Sequence, residues 1–273
     1  MSTEPTGHSL ETLAALPTWE WPDDAIDRIA LGLKSTDPSE QCLAARLAGF
    51  VPDDGLASLL LRCLQESEDD DLRAEAAIAL GPILEEAHMS EFNDEDMPAE
   101  IGPGRVHEIQ TTLRKLYMEA NAPMLVRRRA LEAAVRSPAQ WQIGATRAAF
   151  HSGDSAWRIT SLFAMGYLDG FEQNILDSLT VKSNDTVREA ITAAGRHDLQ
   201  DAGPHVLRMA EQEERGSDVQ RAAIEAIAHL RPPGTVNVLK RLIRHPDTTL
   251  ATAAQVALDE ALMWEDIDGL EGL

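Results

Sequence analysis

A thirteen-residue pattern, Asp69 to Gly81 (DDDLRAEAAIALG), returns along this sequence at a nearly fixed interval, and that interval constrains the fold more than any other feature. With Arg73 as anchor, an apolar residue stands before it, small or apolar residues at +3, +4 and +7, and Gly at +8. Equivalent anchors are Arg127, Arg158, Arg188, Gln220 and Ala251, with a looser one at Gln41. In chain order the seven anchors are 32, 54, 31, 30, 32 and 31 residues apart, so the outlying 54 is one unit of 31 plus an insertion of 23. A fixed period of this size is the mark of a solenoid, in which each unit buries its apolar face only by stacking on the next.

Helix signals repeat with the same period. Asp37, Asp69, Asp154 and Asp247 stand four residues before their anchors, with Asn184 as the equivalent in the fifth unit, and an Asp or Asn there caps a helix N-terminus. Pro123 and Gly216 break the pattern. Between these second helices fall first helices of about three turns, at 55–66, 105–119, 139–151, 171–182, 203–214 and 234–245, preceded by one at Pro22 to Lys34. The expected organisation is an N-terminal arm and cap at 1–21, a repeat array at 22–263 and an acidic tail at 264–273. Trp19 and Trp21 are expected to fold over the open end of the first helix. The insertion at 88–104 holds five acids, two prolines, two glycines and no Lys or Arg, which reads as an exposed loop.

The [LV]-R-x-x-A core with its preceding Asp, in DDDLRAEAA and DTVREAITA and more loosely in DSAWRITSL, resembles HEAT repeats, specifically the short Ala-rich class called PBS-lyase HEAT-like repeats. The resemblance covers about residues 22–263. It implies an all-α, right-handed α-α superhelix of about seven helical hairpins. It also implies an Asp–Arg ladder between neighbouring units, carried here by Asp69, Arg73, Arg127, Asp154, Arg158, Asp185 and Arg188, and weaker at the ends where Gln41, Gln220 and Ala251 stand.

Charge narrows the function classes. The net charge is -22, from 24 Lys+Arg and 46 Asp+Glu, which opposes binding to nucleic acid or anionic membrane. It is uneven: residues 1–104 hold 23 acids and 5 bases, residues 105–158 hold 4 acids and 9 bases. No stretch has the roughly 20 apolar residues of a membrane span. With no basic, apolar leader at its start, a cytoplasmic protein is expected. Cys42 and Cys63 lie in apolar helical patterns and read as free thiols.

Relatives of this fold that do chemistry are weighed through the resemblance. A di-iron hydroxylase would need repeated His-Glu pairs, and only His107-Glu108 occurs. A DNA glycosylase would use the basic run Arg127, Arg128, Arg129, Arg136, Arg147 and Arg158. A bilin lyase would build a chromophore site from residues such as Trp141, Trp157, Tyr167 and Asp154, although Trp157 occupies the core position before an anchor. His197 and His205 have no organised carboxylate partner, and Asn93 to Asp96 lack EF-hand spacing. The reading preferred from sequence is a non-catalytic protein-interaction scaffold without cofactor or metal. Its partner is expected to carry a cationic segment and to meet Glu66, Glu68, Asp70, Asp71, Glu95 and Asp96. Arg127, Arg128 and Arg129 offer a route to head-to-tail self-association.

Overall fold

The computed structural model describes residues 9–90 and 101–271, apart from the side chains of Ser90, Glu213 and residues 264–271. Among the described residues there are fifteen α-helices and no strand, and no helix is long and apolar enough to cross a membrane. The chain divides into two compact units, 1–142 and 143–273.

Unit 1 begins with α1 (Leu10–Ala15), followed by the hairpins α2 (Ala25–Gly32) and α3 (Pro38–Ala48), α4 (Asp54–Glu66) and α5 (Asp70–Ser90), and α6 (Pro103–Met118) and α7 (Met124–Ala134). Helix α8 (Gln140–Phe150) carries the boundary. Unit 2 continues with α9 (Ser155–Met165), α10 (Glu172–Ser178), α11 (Asn184–Arg196), α12 (Gly203–Glu211), α13 (Ser217–Leu230), α14 (Thr235–Leu242) and α15 (Thr248–Glu271). Seven first-helix and second-helix pairs therefore stand where the period puts them, in an all-helical, HEAT-like repeat architecture. In unit 1, α5 packs on both α3 and α7; in unit 2, α11 packs on α9 and α13, and α13 on α15.

Small residues make these seams. A Cβ added to Gly49 would lie 3.2 Å from the Ala79 Cα, and one added to Gly81 would lie 3.2 Å from the Ala133 Cα, closer than ordinary packing allows. Around them Ala44, Ala76, Ala77 and Ala130 are fully buried, and Leu56, Leu60, Leu80 and Leu113 fill the remaining space. Unit 2 repeats the arrangement with Ala190, Ala194 and Ala223 beside Val187, Ile191, Ile224 and Leu239.

Capping holds as read for four helices. Asp37, Asp69, Asp154 and Asp247 each accept from backbone N–H groups of the first turn, at 2.8–2.9 Å for the shortest bond. Asn184 does not; Ser183 caps α11 by accepting from Thr186 N. The Asn184 amide instead donates to the Arg215 carbonyl at 2.8 Å, tying α11 to the next hairpin.

The Asp–Arg ladder is corrected by the same geometry. Asp69 and Asp154 are occupied with their own helix ends, and Asp185 is an exposed first-turn residue of α11. Arg73 donates to the Leu64 carbonyl and Arg127 to the Tyr117 carbonyl, at 3.3 and 3.0 Å, closing the C-terminus of the first helix in their own hairpin. Gln41 and Gln220, expected to weaken the ends, do the same to Leu33 and Ala210 at 3.3 and 3.0 Å. Arg158 stacks on Phe150 at 4.3 Å instead, and the Arg188 side chain makes no such bond among the described residues. Neighbouring hairpins are joined by other pairs: Arg46 with Glu75, Arg105 with Asp54, Arg136 with Glu85 and Arg241 with Glu211.

Three further expectations change. Only Trp21 folds over the first helix pair, its Nε1 donating to the Leu13 and Leu16 carbonyls; Trp19 is 83% exposed, and α1 supplies the cap through buried Leu10 and Leu13. Helix α5 runs through Pro82 to Ser90, three residues into the expected loop, and Ile101 is buried on its far side. Residues 91–100 lie outside the described residues. Trp157 is half-buried, unlike Leu72, Val187 and Val219 at the matching positions, which are buried.

Two measurements check this account. Ala76→Leu should cost about 1–3 kcal/mol in urea unfolding, because the α5 seam has no room for the added carbons. Gln220→Leu should cost about 1–3 kcal/mol by orphaning the Ala210 carbonyl, whereas Arg188→Ala should stay within about 0.5 kcal/mol.

Candidate recognition groove

In unit 1 the second helices α3, α5 and α7 enclose a groove of about 590 Å³. Its position follows from the repeat. Residues at −2, +1, +2 and +5 from an anchor share the helix face left over when the small residues at +3, +4 and +7 turn to the seam. Cys42, Leu43, Ala74 and Leu125 give the groove an apolar surface, Asp69, Asp71 and Glu75 an acidic side, and Arg46 and Arg129 two cations.

The charges differ in how far they are committed. Asp69 is held as the cap of α5. Glu75 pairs with Arg46 at 3.1 Å, and this hydrogen bond holds the Arg46 guanidinium above its ordinary pKa. Arg129 is 2.7 Å from Glu132, a carboxylate almost fully buried in α7. Asp71 is exposed in the first turn of α5 and forms no ion pair among the described residues. Cys42 sits among these groups, and burial, then the charges of Asp69 and Glu75, push its thiol pKa up. That makes it a poor nucleophile at neutral pH.

The residues singled out from sequence divide accordingly. Asp71 and Arg129 line the groove. Glu66, at the end of α4, and Glu68 are exposed outside its lining, and Asp70 pairs with Arg73 at 3.3 Å. Two acids of the run, Asp70 and Asp71, lie where the positive end of the helix dipole stabilises them, so the run has a structural role beside any recognition. Glu95 and Asp96 lie outside the described residues. Arg127 is spent on the Tyr117 carbonyl and stands 5.8 Å from that ring, and Arg128 is 3.8 Å from Glu132, so neither is the open cationic surface expected for self-association. Cys42, Leu43, Arg46, Glu75 and Leu125 were not read as site residues. Projecting each unit on one helical wheel, in register with its anchor, would have found them.

Of the aromatic residues weighed for a chromophore, Trp141 packs on Tyr117 at 5.5 Å in unit 1, whereas Tyr167 packs on Phe163 at 5.4 Å and on Arg196 in unit 2. Among the described residues no group of three or more His, Cys, Asp and Glu is placed to hold a metal ion.

No family model and no curated protein matches the sequence. Solved structures do. Human deoxyhypusine hydroxylase in complex with glycerol matches at 19% identity and a TM-score of 0.44, over 93% of this chain and 88% of its own. YibA of E. coli matches at 13% identity and 0.45, over 92% and 85%. An engineered protein matches at 19% identity and 0.39, over 87% and 96%. At these identities and scores no activity is carried over. The expectation of a non-catalytic scaffold is nevertheless corrected: an enzyme stands among the similar structures, so a helical-repeat architecture is no ground for excluding catalysis.

The raised thiol pKa gives a direct check on the groove. Iodoacetamide should modify Cys42 more slowly at pH 8 than a free peptide thiol, and Glu75→Gln should speed it by removing one of the charges that oppose the thiolate. Peptide mapping by mass spectrometry reads Cys42 apart from Cys63. A rate unchanged by Glu75→Gln would show that burial alone acts on the thiol.

Proposed function

We propose that unit 1 recognises a cationic polypeptide segment in the groove between α3, α5 and α7. The observation that carries the reading is the exposed Asp71, which forms no ion pair among the described residues, beside Asp69 and Glu75 on a face whose floor is Cys42, Leu43 and Leu125. A segment alternating Lys or Arg with aliphatic residues would place its cations on Asp71 and Glu75 and its aliphatic carbons on the floor. The excess of acids over bases in residues 1–104 would steer it there. The proposal concerns what is bound, and it applies equally to a segment held for assembly and to one held as a substrate. We place the repeats in the short PBS-lyase HEAT-like class, supported by the 30–32-residue spacing of the regular units and by their Ala-rich second helices. Cytoplasmic placement is supported by two free thiols, Cys42 and Cys63.

The test is fluorescence anisotropy with a labelled ten-residue peptide of alternating Leu and Lys, against one of alternating Leu and Glu. The cationic peptide should bind and the acidic one should not. Asp71→Asn with Glu75→Gln should weaken binding about tenfold or more and flatten its salt dependence, with helicity unchanged. Equal affinity of parent and double variant, at low and at high salt, would sink the proposal.

A further inference from the structure

Unit 2 contains a pocket of about 290 Å³ beside α12 and the 3-10 turn Glu213–Arg215, and its chemistry is the reverse of the groove's. Its lining includes His205, Arg208, Arg215, Met209, Thr180 and Glu214. In this acidic chain most arginines of unit 1 end on a carboxylate, as Arg28, Arg46, Arg73, Arg105, Arg129 and Arg136 do. Arg208 and Arg215 form no ion pair among the described residues. Arg208 donates to His205 Nδ1 at 3.1 Å, and Arg215 donates to the Val181 carbonyl at 3.0 Å. Two guanidiniums and an imidazole thus line one cavity, where Glu214 is the single carboxylate among the described residues.

We propose that this pocket binds the phosphate group of a small phosphomonoester. The guanidinium fork matches phosphate oxygens in charge and geometry. A dianion between Arg208 and Arg215 would relieve the crowding of like charge that the lone Glu214 leaves uncompensated. Met209, buried at the cavity wall, offers apolar surface to the organic substituent. His205 completes the site. With Nδ1 accepting from Arg208 the ring is neutral; burial, then Arg208 and also Arg215, hold its pKa below the ordinary value, against the opposing effect of the Leu179 backbone. A bound dianion favours the imidazolium and turns both ring nitrogens into donors.

The experiment follows the His205 imidazole by NMR during pH titration, at fixed ionic strength, with inorganic phosphate, methyl phosphate or acetate. Methyl phosphate should raise the His205 pKa by about half a unit or more, binding at least as tightly as inorganic phosphate, while acetate leaves it unmoved. Arg208 is exposed and, among the described residues, its side chain bonds only to His205, so Arg208→Gln keeps the fold, checked by circular dichroism. It should weaken methyl phosphate binding about tenfold. The proposal is overturned if His205 ignores methyl phosphate, responds to inorganic phosphate alone, shifts as far with acetate, or responds unchanged in Arg208→Gln.

Discussion

Everything in this molecule depends on how closely the second helices approach one another. A hairpin of about thirty residues has too little interior to bury its own apolar face, and the face is buried only if the next hairpin can come into contact along the whole helix. Gly49 against Ala79 and Gly81 against Ala133 set that distance within unit 1, since a single added carbon would meet a neighbouring backbone at 3.2 Å. The leucines then fill what the small residues leave. Stability is distributed along such a seam as a sum of neighbour terms, so no single layer forms a centre.

Close packing creates a polar problem at each hairpin turn, where the last carbonyls of a first helix have no partner within the helix. In four hairpins the anchor side chain solves it, and what matters there is an N–H donor of the right reach. Arg73 and Arg127 do this with a guanidinium; Gln41 and Gln220 do it with a neutral amide. The substitution of Gln for Arg therefore preserves the bond while removing a charge. The ties between hairpins are left to exposed or half-exposed ion pairs such as Arg46–Glu75, each worth roughly 1 kcal/mol or less.

Function on such a stack lies in the faces that packing leaves over. Within unit 1 that face is acidic with an apolar floor; within unit 2 a pocket holds two arginines that form no ion pair among the described residues. The two surfaces lie in different units and are opposite in charge. A repeat architecture by itself cannot choose between them. Side chains at particular positions do.

The sequence alone determined the helical class, the seven hairpins and four of the caps, because each of these is written in local spacing: a period near 31, small residues at fixed offsets, an Asp four residues before an anchor. It also marked Asp71 and Arg129. Tertiary structure alone decided the partners of the charged residues. Asp69 to Asp71 read as one acidic run, yet one residue caps a helix, the next pairs with Arg73 and the third faces the groove. Arg127 to Arg129 read as one basic run, yet the first ends on a carbonyl, the other two share the buried Glu132 carboxylate, and of the three Arg129 lines the groove. Neighbours in sequence are about 100° apart around a helix, so which of them meets the next hairpin depends on the turn by which that hairpin is set. That turn is fixed by contacts between residues 29 to 51 positions apart, which no local pattern records.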